Sequence, residues 1–199
     1  MAEATTVVKL GGSLLSLPDL DERLQRLFAV LETPALVVPG GGGTADIIRR
    51  LARQYQLSPH ASHDAAVAAM GFNAGLLART GKTLRLIHDP SDLRPTAAGQ
   101  RVPILDVYQC LHAGLAEKTR ALPNQWTVTS DSIAASLANE FGYSHLLLLK
   151  SCEPASLTVR ELSAQQAVDG WFPVVCSGLR LEWCNLRADV IRFQEIQPV

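Results

Sequence analysis

Lysine is scarce in this chain: of 18 basic residues only four are lysines (Lys9, Lys82, Lys118 and Lys150) and the rest are arginines. Each lysine position therefore carries information. Charge of either sign is in short supply, with 19% charged residues and a formal net charge of −1, which excludes a generic nucleic-acid binder held by a basic surface. No segment approaches the ~18 consecutive apolar residues of a membrane span, and the apolar run Leu146 to Leu149 is only strand-sized. The opening MAEATTVVKL lacks the basic region and long apolar stretch of a secretory leader. The four cysteines (Cys110, Cys152, Cys176, Cys184) are widely separated and form no C-x-x-C pair, which argues against a zinc knuckle or a disulfide framework. A reduced, cytoplasmic protein is expected.

What is present is a greasy chain of 199 residues, 47% apolar, long enough for a substantial core. Short apolar runs alternate with helical spacing. Strands are expected at Thr6 to Leu10, 35–39, 83–87, 126–129 (WTVT) and 145–150, with strand-like stretches at 173–176 (PVVC), 180–184 and 189–193 (DVIRF). Helical stripes run through Leu20, Leu24, Leu27, Phe28 and Leu31, through Ile47, Ile48, Leu51 and Tyr55, over 65–78, and through Ile133, Leu137, Ala138 and Phe141. The passage 88–101 reads as loop. Strand–helix alternation with near-continuous apolar strands predicts one α/β domain over 1–199, its mostly parallel sheet covered on both faces.

Two glycine loops each lie between a strand and a following helical segment. VVKLGGSLL (7–15) places Gly11, Gly12 and Ser13 after Lys9, and VVPGGGGTADIIR (37–49) places Gly40, Gly41, Gly42 and Gly43 ahead of a helix. Glycine lets backbone N–H groups approach an anion, and a helix N-terminus adds partial positive charge. Neither loop fits G-x-x-x-x-G-K-[ST] or a dinucleotide fingerprint. Tight βα turns are the plain alternative, but two such loops at the carboxyl ends of two strands favour phosphate binding. In VTSDSIAASLANEFGYSHLLLLKS (128–151), one strand leads Ser130 and Asp131 to a helix start and another ends on Lys150. Taken singly, Asp131 reads as a first-turn acid and Lys150 as a solvated strand end.

Together these segments resemble the amino acid kinase superfamily. The matching residues are V-x-K-x-G-G-S from Val7, P-G-G-G-G at 39–43, D-S-I-A-A-x-L-A at 131–138, and the strand ending Leu149-Lys150-Ser151. Residues 38–49 and 57–70 are most similar to the short branch that contains the aminomethylfuranmethanol phosphate kinase of methanofuran biosynthesis. The resemblance implies a three-layer αβα sandwich, with an acceptor half over about 1–120 and a nucleotide half over about 121–199. It implies transfer of the ATP γ-phosphoryl group, with Mg²⁺, to a small anionic acceptor, in this branch a phosphomonoester. Lys9, Asp131 and Lys150 would be catalytic, Asp131 orienting the lysines. Gly11, Gly12, Ser13, Ser130 and Ser151 would face the nucleotide. Gly40 to Gly43, Asp46, Arg49 and His63 would line the acceptor pocket. A homo-oligomer is implied, with neither nucleic acid nor membrane as partner.

The chemistry is consistent with this residue set, because phosphoryl transfer is mostly positioning and charge stabilisation and an ionised acceptor needs no strong base. The chain departs from acetylglutamate-kinase-like members in having no lysine after Lys150. Leaving-group stabilisation would then fall to Lys9, Lys150, Mg²⁺ or an arginine. Thr44-Ala45-Asp46 stands where isopentenyl phosphate kinases carry a histidine. His60, His63 and Asp64 could be read as metal ligands but lack a third convincing partner. Trp126, Trp171 and Trp183 are expected in the core or an interface. The alternatives are a non-catalytic nucleotide- or oxyanion-binding or storage protein on the same fold, and a kinase of another small acid or phosphate.

Overall fold

The computed structural model describes residues 5–93 and 100–198. Its centre is a seven-stranded sheet in the order β3-β4-β2-β1-β5-β6-β7. The strands are β1 (Thr6–Leu10), β2 (Ala35–Pro39), β3 (Leu84–Ile87), β4 (Val102–Leu105), β5 (His145–Lys150), β6 (Arg180–Asn185) and β7 (Gln194–Ile196). All neighbours pair in parallel except β6 and β7, which are antiparallel. From β1 the chain first builds outward through β2, then returns to add β5 on the other side. The β1–β5 junction is thus the switch point of the sheet, where ligands of open α/β folds enter at the carboxyl ends of the strands.

Side-chain alternation divides the core into two layers. On β1 and β5, Val7, Leu146 and Leu148 join one buried cluster, while Val8, Leu10, Leu147 and Leu149 join the other. The first cluster is covered by α6 (Ser130–Glu140), α7 (Val159–Ala164), α8 (Phe172–Val175), α4 (Val107–His112) and part of α3 (Pro59–Thr80); the second is covered mainly by α1 (Leu20–Val30). Between them along the chain lie α2 (Gly42–Gln54) and α5 (Glu117–Arg120). The expected three-layer α/β sandwich with a mostly parallel sheet is what the structure has. Lys9 shares parity with Val7, and Lys150 with Leu148, so both lysines point to the α6 face. The register Lys9↔Leu148 sets Lys150 two residues further along the adjacent strand.

Several local expectations are corrected. Residues 126–129 form turns rather than a strand; Gln125 N–H bonds Pro123 O and Val128 N–H bonds Gln125 O. With β1 and β5 already paired, no slot is open beside them for this segment. PVVC lies largely within α8, where Pro173 sits in the first turn and the Asp169 carboxylate accepts from the N–H groups of Trp171 and Phe172. Turn chemistry there overrides β propensity. In DVIRF no strand forms, and pairing with β6 resumes only at Gln194. The preceding turn is held by Arg23, which donates to the carbonyls of Leu186, Arg187 and Ala188. The helix expected at 65–78 extends over Pro59–Thr80, started by Ser58 capping Ala61 N–H and Pro59 at its first position. Within the expected loop 88–101, Pro90–Asp92 makes one 3-10 turn, and 94–99 lie outside the described residues.

Candidate functional site

The two glycine loops pack against each other. A Cβ on Gly12 would lie 2.4 Å from Gly42 N, and Gly42 has φ +51, a conformation that favours glycine. Asn73, buried on α3, donates to the carbonyls of Gly40 and Gly41 at 2.9 Å each and accepts from Thr44 Oγ1 at 3.2 Å. The second loop is therefore held from beneath by a side chain that the sequence reading passed over.

Beside this joint, three charged groups come together on the α6 face of the sheet. Lys9 Nζ lies 2.7 Å from Asp131 Oδ1, and Lys150 Nζ donates to Asp131 Oδ2 at 3.0 Å and to Ala167 O at 2.6 Å. All three side chains are largely withdrawn from solvent, at 5%, 7% and 14% exposure for Lys9, Asp131 and Lys150. Each Asp131 oxygen thus faces one ammonium group, Oδ1 that of Lys9 and Oδ2 that of Lys150. Burial by itself would push the Asp131 carboxyl up, but the Lys9 and Lys150 ammonium groups outweigh it and hold the carboxyl below its ordinary value. Lys150 is lowered to about 8, first by burial and then by the neighbouring Lys9 charge, against the opposing pull of Asp131. Its ammonium also lies 5.3 Å from the centre of the Trp183 ring. An ammonium has three donors, and among the described residues the contact with Asp131 is the sole polar contact of Lys9 Nζ. A buried cation with uncommitted donors can take an anion without rearrangement.

A cavity of about 230 Å³ opens next to the loops, its wall formed in part by Gly12, Gly41, Gly42, Asp46, Arg49, His63 and Ser130. The structure thus brings the three expected acceptor side chains together with Gly12 and Ser130, from two of the three nucleotide-side segments. Gly11, Gly40, Gly43, Ser13 and Ser151 are not in this wall. Ser13 and Ser151 meet each other instead, the Ser13 hydroxyl donating to Ser151 Oγ at 3.0 Å. Arg49 pairs with Asp46 at 2.6 Å and lies over the Trp126 ring, 4.6 Å from its centre. Trp126 therefore forms cavity wall, where the sequence suggested core or interface. His63 is held below its ordinary value by burial, against the raising influence of the Gln125 backbone and Asp64, so its imidazole is neutral near pH 7. Asp64 bonds His112 Nε2 at 3.2 Å, and among the described residues no group of three or more His, Cys, Asp or Glu side chains is arranged to hold a metal.

The family model described as the amino acid kinase family matches residues 4–153, which contain both glycine loops and the Lys9–Asp131–Lys150 cluster. The chain belongs to the amino acid kinase family. Membership makes it a small-molecule phosphotransferase. Comparison with curated proteins finds no matching sequence. Among solved structures, UMP kinase from Ureaplasma parvum matches with a TM-score of 0.60 at 16% identity, over 96% of this chain and 93% of that one. Uridylate kinase from Archaeoglobus fulgidus matches at 0.60 and 19% identity over 88% of each chain. Aspartate kinase from Synechocystis matches at 0.63 and 14% identity, over 98% of this chain but 40% of that one. These likenesses are likenesses of fold.

In this member of the family two further charged residues reach the site region without having been legible in the sequence. Asp169, between α7 and α8, binds the N-terminus of α6, where Asp131 resides. Arg187, after β6, donates to the Ser13 carbonyl at 3.3 Å. Both arrive through turns that follow the matched segment, where no periodic pattern or motif marks them. Among the described residues no helix is long and apolar enough to cross a membrane.

Proposed function

We propose that this protein is an ATP-dependent kinase that transfers the γ-phosphoryl group to a small anionic acceptor, a phosphomonoester of the aminomethylfuranmethanol phosphate type. The observation that carries the reading is the buried Lys9–Asp131–Lys150 cluster at the β1–β5 switch point, with Lys9 donors uncommitted beside two glycine loops. Asp131 holds the two ammonium groups apart and aims them, and has no proton to transfer. Lys9 and Lys150 place positive charge where negative charge spreads in a loose transition state. Ser13 and Ser151 lie on the nucleotide side, with Arg187 as the arginine that offsets the missing late lysine. Gly41, Gly42 and Arg49 present donors to the acceptor in the cavity, whose wall also includes neutral His63. Mg²⁺ fits this donor set only as a passenger on the triphosphate, since both Asp131 oxygens already face ammonium groups. When bound it supplies further charge neutralisation.

The test is calorimetric titration of wild type and Lys9→Ala with a non-hydrolysable ATP analogue and Mg²⁺, followed by transfer assays on phosphomonoester acceptors. Binding that is lost in the variant, together with transfer in the wild type, supports the reading. Absence of binding at millimolar nucleotide would overturn it in favour of a non-catalytic oxyanion binder.

A further inference from the structure

Asp169 belongs to none of the sequence motifs, yet its carboxylate has the densest set of partners near the site. It accepts from Thr129 N at 2.9 Å, Thr129 Oγ1 at 2.8 Å, Ser132 N at 3.0 Å and the Ser132 hydroxyl, and from Trp171 N and Phe172 N at 3.1 Å each. Helix α6 has no cap of its own: the Thr129 side chain makes no capping bond. An orphan helix N-terminus is stabilised by an acceptor and by negative charge, and Asp169 supplies both from 37 residues downstream of Ser132. Asp131 lies between the two residues it grips.

The same short segment reaches the other side of the cluster. Ala167 O, two residues before Asp169, accepts from Lys150 Nζ at 2.6 Å. The turn 167–169 therefore touches Lys150 directly and Asp131 through its helix, and couples both to α8. We infer that Asp169 is a positioning residue: it fixes the first turn of α6, and with it Asp131, against the turn whose Ala167 carbonyl holds the Lys150 ammonium. The charged and polar groups around Lys150 are Lys9 from β1, Asp131 from α6, Asp169 and the Ala167 carbonyl from this turn, and the Trp183 ring from β6. Lys9 and burial lower Lys150, while Asp131 and Asp169 raise it. Neutralising Asp169 removes a raising influence, so Lys150 loses its proton at a lower pH.

The inference rests on the phosphoryl-transfer reading for its kinetic consequence alone, and its first readout is independent of activity. With four lysines in the chain, side-chain nitrogen titrations are resolvable by NMR on lysine-labelled protein, with Lys150 assigned by its absence in Lys150→Arg. In Asp169→Asn the Lys150 midpoint falls relative to wild type. In Ser132→Ala, which removes a bond to Asp169 but leaves the charge, stability falls and the midpoint stays. Asp169→Ser, neutral but still able to cap, is the second variant should the asparagine form not fold. In the enzyme assay the alkaline decline of kcat moves to lower pH in the neutral variants and not in Ser132→Ala. A Lys150 midpoint unchanged in a folded Asp169 variant overturns the inference, as does an equal shift in Ser132→Ala. A wild type that transfers no phosphoryl group overturns the kinase reading instead, and leaves the lysine titration to decide this one.

Discussion

Strands β1 and β5 carry a buried polar cluster at each end, and the two are built differently. At the amino ends, Thr6 Oγ1 meets Thr33 Oγ1 at 2.6 Å and His145 Nδ1 at 2.8 Å, His145 Nε2 meets Glu182 at 2.9 Å, and Arg180 reaches the other Glu182 oxygen at 2.7 Å. Both ring nitrogens of His145 and both oxygens of Glu182 are in use. At the carboxyl ends, β1 and β5 supply Lys9 and Lys150, which share the Asp131 carboxylate, and among the described residues that carboxylate is the one ion-pair partner of Lys9. Burying polar groups without full partnership costs stability. Where the cost is avoided the cluster is architecture; where it is kept, the cluster is the one to which the proposed function assigns a ligand.

The largest expected effect breaks the open end. Lys9→Ala should reduce kcat more than a hundredfold with the circular dichroism spectrum retained, since a preorganised charge contact to the transferring group is worth ~3 kcal/mol. Asp131→Asn should cost nearly as much, through misplaced lysines. Its loss should be present at every pH, whereas in wild type kcat should decline only as pH rises through about 8, where Lys150 gives up its proton. A wild-type rate still flat at pH 9.5, an alkaline extreme about one and a half units above that value, would remove Lys150 from the charge balance. Arg187→Ala should be milder, about tenfold in kcat with acceptor KM unchanged, as expected for one exposed cation near the leaving group.

The smallest effect on catalysis belongs to the closed end. Glu182→Gln should lower stability by about 1–3 kcal/mol in urea titration, because it weakens a bonded, buried charge, while kcat stays within about twofold. His145 sharpens the contrast. Burial, the main cause, together with Arg180 outweighs Glu182 and holds it below its ordinary value of 6.5. Its contribution to stability is therefore complete above about 6.5 and is lost as pH falls through the lower folded value. A His145→Gln protein should show less acid destabilisation over that window, measured by thermal unfolding from pH 7 to pH 5.

How much of this was legible follows from how local each feature is. Lys9, the two glycine loops, Asp131 and Lys150 could be picked out because each sits at a strand end or helix start whose pattern is visible over ten residues. Strands with long apolar character, such as 145–150, were equally plain. The segments 126–129 and 173–176 misled, because short apolar runs do not distinguish a strand from a turn or one helical turn. Asn73, Asp169 and Arg187 were invisible for a different reason. Each acts on a segment 29 or more residues away in the chain, and nothing around it in sequence says where its side chain ends up.

By itself the sequence determined the layer architecture, the strand ends on which the lysines stand, and the residue types available to meet a phosphate. Those follow from alternation along a strand and from glycine and helix-start chemistry, which are properties of neighbours in the chain. Only the tertiary structure decided that Lys9 and Lys150 share one carboxylate, that Arg49 is held against Trp126, and that a distant aspartate caps the helix between them. Strand register and helix docking set those distances. They are fixed by packing of the whole core, where a shift of one residue would turn each lysine to the opposite face.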